Sequence, residues 1–78
     1  MKTYHISLYA PQKNDDGYIV NRKTESYIER TTAFDAVKSF MAEHFPSCIF
    51  YSLKKESVSG TWSASTTASG LRIWIREL

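Results

Sequence analysis

The sequence predicts an α+β domain: a four- to five-stranded antiparallel sheet with a single helix packed on one face, in the order β-β-α-β-β-β. Three observations lead there. The closing segment Leu71-Arg72-Ile73-Trp74-Ile75-Arg76 alternates without a fault, which is the period of a strand with one buried face. A single segment, between Thr31 and Pro46, carries helical spacing together with a start and a stop signal. Strand-like segments come in runs on both sides of that helix, which favours antiparallel pairing over βαβ crossovers.

Residues 2–10 read as the first strand, with Tyr4, Ile6 and Leu8 alternating against His5, Ser7 and Tyr9. Pro11 is expected to stop it, because proline cannot donate to a ladder. Pro11 to Gly17 is polar, and Asp16-Gly17 signals a hairpin, since glycine accepts a positive φ. The second strand runs from about Tyr18 to Glu29, apolar at its ends and wholly polar from Asn21 to Ser26. That pattern suits an edge strand, a bulge or a break. Lys23 and Glu25 are expected to discourage edge-to-edge pairing with another chain.

Thr32 is a good N-cap for the helix, with Asp35 at the capping-box position. Helical spacing puts Ala33, Phe34, Val37, Phe40, Met41, His44 and Phe45 on an arc of about 140°, which the sheet must cover. Pro46 ends the helix by disfavouring the α conformation before it. A third strand alternates Ile49, Tyr51 and Leu53 with Cys48, Phe50 and Ser52. Val58 to Thr66, around Trp62, forms a fourth strand weakened by Gly60. Thr66 to Gly70 is the last turn and Leu71 to Glu77 the fifth strand.

The 78 residues make a single compact domain, 1–78, with a thin core to which eleven Phe, Tyr and Trp residues bring much of the burial. Ten basic and eight acidic side chains give a net charge of +2, mixed along the chain with no charged tail. Sequence-independent nucleic-acid binding needs a more concentrated positive field. The single cysteine, Cys48, excludes an intramolecular disulfide. No apolar run is long enough to span a membrane, and Met1 to Ile6 lacks a signal-peptide core, so a cytoplasmic location is expected.

No catalytic or metal motif stands out. His5 and His44 have no acidic or thiol neighbour at metal spacing, and a zinc site needs three or four ligands. Cys48 reads as a small half-buried residue. Asp15-Asp16 reads as turn chemistry. No serine sits in a Gly-x-Ser-x-Gly elbow, and three glycines form no phosphate-cradling loop. The expectation is a non-enzymatic protein with no cofactor.

What remains is a surface. With the helix on one face, the period of two leaves His5, Ser7, Tyr9, Cys48, Phe50, Ser52, Arg72, Trp74 and Arg76 on the other. Trp74 between Arg72 and Arg76, with Tyr9, Phe50 and His5, is the candidate partner-binding face, because Trp and Arg are enriched at binding hot spots. Low net charge favours a protein partner. Aromatics among basic residues also suit stacking of single-stranded bases, so a nucleic-acid-binding module is the alternative. A third reading is a homodimer that hides Trp74 in a two-fold sheet contact.

The organisation of the chain resembles that of small phage-encoded anti-CRISPR proteins, the type I inhibitors. The likeness lies in a very short chain, an opening strand at Met1-Lys2-Thr3-Tyr4-His5-Ile6, and a polar turn. A second strand then feeds the capped helix Thr31-Thr32-Ala33-Phe34-Asp35-Ala36-Val37, and an antiparallel meander closes the chain. The resemblance implies a stoichiometric, non-catalytic inhibitor acting in the host bacterial cytoplasm. Its partner would be a CRISPR-Cas effector complex or its recruited nuclease, with DNA recognition or cleavage blocked. It assigns no individual residue a role. Acidic DNA mimicry, used by several such inhibitors, does not fit a net charge of +2.

Overall fold

A computed structural model describes residues 1–48, 50–67 and 70–78; the side chains of Phe50 and Tyr51 lie outside the described set. The strands are β1 (Lys2–Lys13), β2 (Ile19–Arg30), β3 (Phe50–Lys55), β4 (Thr61–Thr66) and β5 (Arg72–Glu77), and the helix α1 (Ala33–His44) follows β2. They form one sheet in the order β2-β1-β5-β4-β3, with every neighbouring pair antiparallel. The helix links β2 at one edge to β3 at the other, so it packs across the face between them. This is the α+β architecture expected from the sequence.

The β1-β2 hairpin is the longest feature. Asn14 and Tyr18 close a loop of Asp15, Asp16 and Gly17, with the Asn14 N–H donating to the Tyr18 carbonyl at 2.8 Å. The Asn14 Oδ1 accepts from the N–H groups of Asp16 and Tyr18, and Gly17 takes φ +85°, where a side chain would be strained. Register then runs unbroken from Lys13↔Ile19 to Lys2↔Arg30. Pro11 does not end β1, contrary to expectation. The pairing of β1 with β5 ends at Tyr9↔Arg72, so beyond that point β2 is the only strand paired with β1 among the described residues. Among the described residues no strand pairs with the other side of β1 there, although Gly70 lies against the Pro11 ring, and such an unpaired edge accommodates a residue without an N–H. The polar middle of β2 is that of a continuous edge strand, neither bulged nor broken.

The core is one cluster between sheet and helix. Tyr4, Ile6 and Leu8 of β1, Ile73 and Ile75 of β5, and Ala33, Ala36, Val37, Phe40 and Met41 of α1 are all buried. Trp62 of β4 packs at its margin, edge-on to Tyr4 with ring centroids 6.0 Å apart. The Thr32 side chain accepts from the Asp35 N–H, capping the helix as its sequence indicates.

Three local expectations are corrected. The buried stripe of α1 includes Ala36 and leaves out Phe34, which is 46% exposed, and His44, which is exposed with its ring against Phe40. Small Ala33 and Ala36 face the sheet, and the stripe turns by about 40° at 100° per residue. Val58 belongs to a turn, because Gly60 takes φ +77° and the Thr61 N–H bonds back to the Val58 carbonyl. Cys48 precedes β3; its N–H bonds to the Phe45 carbonyl at the end of the helix, and it packs against the core cluster. It is not part of the opposite sheet face. Ile49, Ala68 and Ser69, placed by the sequence in the third strand and the last turn, lie outside the described residues.

Candidate partner-binding face

The face of the sheet away from the helix can be built row by row from the register, since directly paired residues point to one side. The first row is Tyr27, His5, Arg76 and Thr61 across β2, β1, β5 and β4. The second is Glu25, Ser7, Trp74, Ser63 and Lys54, reaching β3. The third is Lys23, Tyr9 and Arg72. Trp74 therefore stands on the central row with a guanidinium on either side along its own strand.

Its two sides differ. Toward β1 the indole is opposite Ser7, which is only 7% exposed, and a shallow depression of about 260 Å³ opens between His5, Ser7, Thr61, Trp74 and Arg76. Toward β4 lies Ser63, whose Oγ donates to the Glu56 carboxylate at 2.6 Å. Small neighbours leave the large ring proud of the surface, and Trp74 is 47% exposed.

Beside it, a charge network is satisfied within the chain. Glu25 Oε2 lies 2.9 Å from His5 Nε2 and 3.0 Å from Lys23 Nζ. These bonds, that to His5 first, hold the Glu25 carboxyl below its ordinary pKa, and the Glu25 carboxylate raises that of Lys23. The His5 ring stacks on Tyr27 with centroids 4.8 Å apart, and Lys23 Nζ sits 5.9 Å from the Tyr9 ring. Arg72 and Arg76 stand outside this network. Among the described residues, neither forms an ion pair. The face thus combines a neutralised flank at β2 with two guanidinium groups free to meet an anionic partner around an exposed indole.

The structure brings together Trp74, Arg72, Arg76, Tyr9 and His5 of the residues singled out by sequence. The Phe50 side chain lies outside the described residues, and the register shifts between Phe50 and Ser52, so a strict period of two does not run through β3. Tyr27, Lys23 and Glu25 belong to the face and were missed. The signal was present: reflecting the chain about Asp16 in the hairpin sets Tyr27 opposite His5 and Glu25 opposite Ser7.

Among the described residues, no three His, Cys, Asp or Glu side chains gather around a point where a metal ion could sit. The His5–Glu25 pair has no hydroxyl hydrogen-bonded to it among the described residues. No helix among them is long and apolar enough to cross a membrane. No described protein family, no curated protein and no solved structure matches the chain.

Proposed function

We propose that this protein is a non-catalytic binding module whose open sheet face docks a protein partner through Trp74, with Arg72 and Arg76 meeting acidic groups around it. The observation that carries the reading is Trp74 itself: a large aromatic, 47% exposed on the central row of the sheet, between two arginines with no ion-pair partner among the described residues. An aromatic anchor flanked by arginine is the usual composition of an interface hot spot. A net charge of +2 and the paired Glu25 and Lys23 keep the face from being a uniform phosphate track. The resemblance in organisation to type I anti-CRISPR proteins makes a bacterial CRISPR-Cas effector complex the partner to test first, with block of DNA recognition or cleavage as the effect.

The test is a titration of purified type I effector complex, and of single-stranded DNA in parallel, at several salt concentrations. Saturable one-to-one binding to the complex with a shallow salt dependence supports the reading. Preferential binding to the single strand, falling steeply with salt, would assign the same face to nucleic acid instead.

A further inference from the structure

β2 is an edge of the sheet along all twelve of its residues. Its N–H and C=O groups on alternate residues, about six positions, point away from β1 and have no strand to meet. Exposed apolar side chains accompany this edge: Ile19 is 76% exposed, Tyr18 beside it 72%, and Val20 and Tyr27 are exposed as well. Tyr18, Ile19 and Val20 sit on the hairpin arm that extends past the last β1–β5 pair, Tyr9↔Arg72.

We propose that β2 pairs antiparallel with β2 of a second copy about a two-fold axis at Thr24, forming a continuous ten-stranded sheet. The charges select this register. In such a pairing the axis is perpendicular to the sheet and both copies keep the same faces, so it must pass through a residue. Among the axes that pair most of the strand, those at Arg22, Lys23 and Glu25 set a charge against its own copy. An axis at Ser26 sets Arg22 against Arg30. At Thr24 no like charges meet. Lys23 pairs with Glu25 of the second copy, twice over, and Arg22 with Ser26. Val20 faces Ile28, Ile19 faces Glu29, and Tyr18 faces Arg30.

The contact within one chain fits the same arrangement. Lys23 Nζ and Glu25 Oε2 are already 3.0 Å apart on one face, so two copies give a closed ring of four alternating charges. A lone lysine on an edge repels a second strand; a lysine and a glutamate two residues apart complement their own copy. The pairing leaves Trp74 uncovered. Five strand spacings separate the two β5 strands, so two Trp74 faces would lie side by side about 24 Å apart. Pairing through β2 is independent of what binds Trp74.

The test uses light scattering and sedimentation equilibrium of the full chain over a wide concentration range. The wild type should rise from 9.0 kDa toward twice that mass. Lys23→Glu and Glu25→Lys each set like charges across the axis, and each should raise the dissociation constant at least about tenfold. Mixing these two variants restores opposite charges and should restore dimers, as should the doubly reversed chain. The double reversal also keeps the in-chain pair, so it serves if a single variant fails to fold by circular dichroism. A wild type that stays at 9.0 kDa up to millimolar concentration, single reversals that dimerise as the wild type does, or a mixture and a double reversal that stay monomeric would each overturn the proposal.

Discussion

Phe40 and Trp74 are both large aromatics, and the fold places them on opposite sides of the sheet. Phe40 is fully buried in the core cluster. Phe40→Ala should cost about 3–5 kcal/mol, against a total stability of about 5 kcal/mol for so small a domain. Thermal unfolding should show most of the chain unfolded; an unchanged midpoint would mean that α1 packs by another face. Trp74→Ala should lower the midpoint by less, because Trp74 is exposed rather than in the core. Glu25 offers a test of the charge network. Its lowered pKa means that its contribution is present above the ordinary glutamate value of 4.5 and is lost as pH falls through the lowered one. The group is exposed, so the effect on stability is small, but NMR titration of the carboxyl should find it below 4.5, and Lys23→Met should move it upward. A Glu25 that titrates at 4.5 in both proteins would mean that the network does not form in solution. At this scale the sequence was most legible at β5, where alternation separates Ile73 and Ile75 from Trp74 without ambiguity. Tyr27 was less so, because its place depends on the centre of a hairpin rather than on its own strand.

Elements with explicit punctuation were readable in advance. Thr32, Asp35 and Pro46 bound the helix because capping and proline sterics act locally. Thr32→Ala removes the acceptor for the Asp35 N–H and should cost about 1 kcal/mol, visible as a lower melting temperature with the fold retained. A melting temperature equal to the wild type would show that the cap is not formed. What periodicity did not reveal was the rotation of the helix on the sheet. Phe34 fits the apolar arc by angle, yet Ala36 is the one that meets the sheet, because two alanines allow a closer approach than a phenylalanine. Phe34 instead lines a depression of about 270 Å³ with Lys38, Met41, Ala42, Pro46 and Cys48. The start of β3 was also hidden. A register shift between Phe50 and Ser52 is set by pairing with β4, and single-strand alternation carries no record of a partner.

At the scale of the molecule, one thin core lies on a single face of the sheet. Among the described residues one helix packs on one side of the five-stranded sheet and no second layer packs on the other. Long axes of 43, 25 and 20 Å reflect the same economy, since the β1-β2 hairpin extends past the body it anchors. The antiparallel α+β class followed from two strands, a helix and then three strands, whereas the sheet order β2-β1-β5-β4-β3 depends on which strands pair and has no signature in any single strand. The open face followed from there being only one helix. Its flanking network did not, because Lys23, Glu25 and Tyr27 join it only through the hairpin register. In the proposed function that face is the docking surface and Trp74 its anchor. The most direct measurement is thermal unfolding and affinity for the effector complex on the same samples of wild type and Trp74→Ala. The variant should stay folded with its binding weakened by at least about 2 kcal/mol, roughly thirtyfold. A variant that melts far below the wild type while its folded fraction binds normally would place the indole in the core and contradict the proposed function.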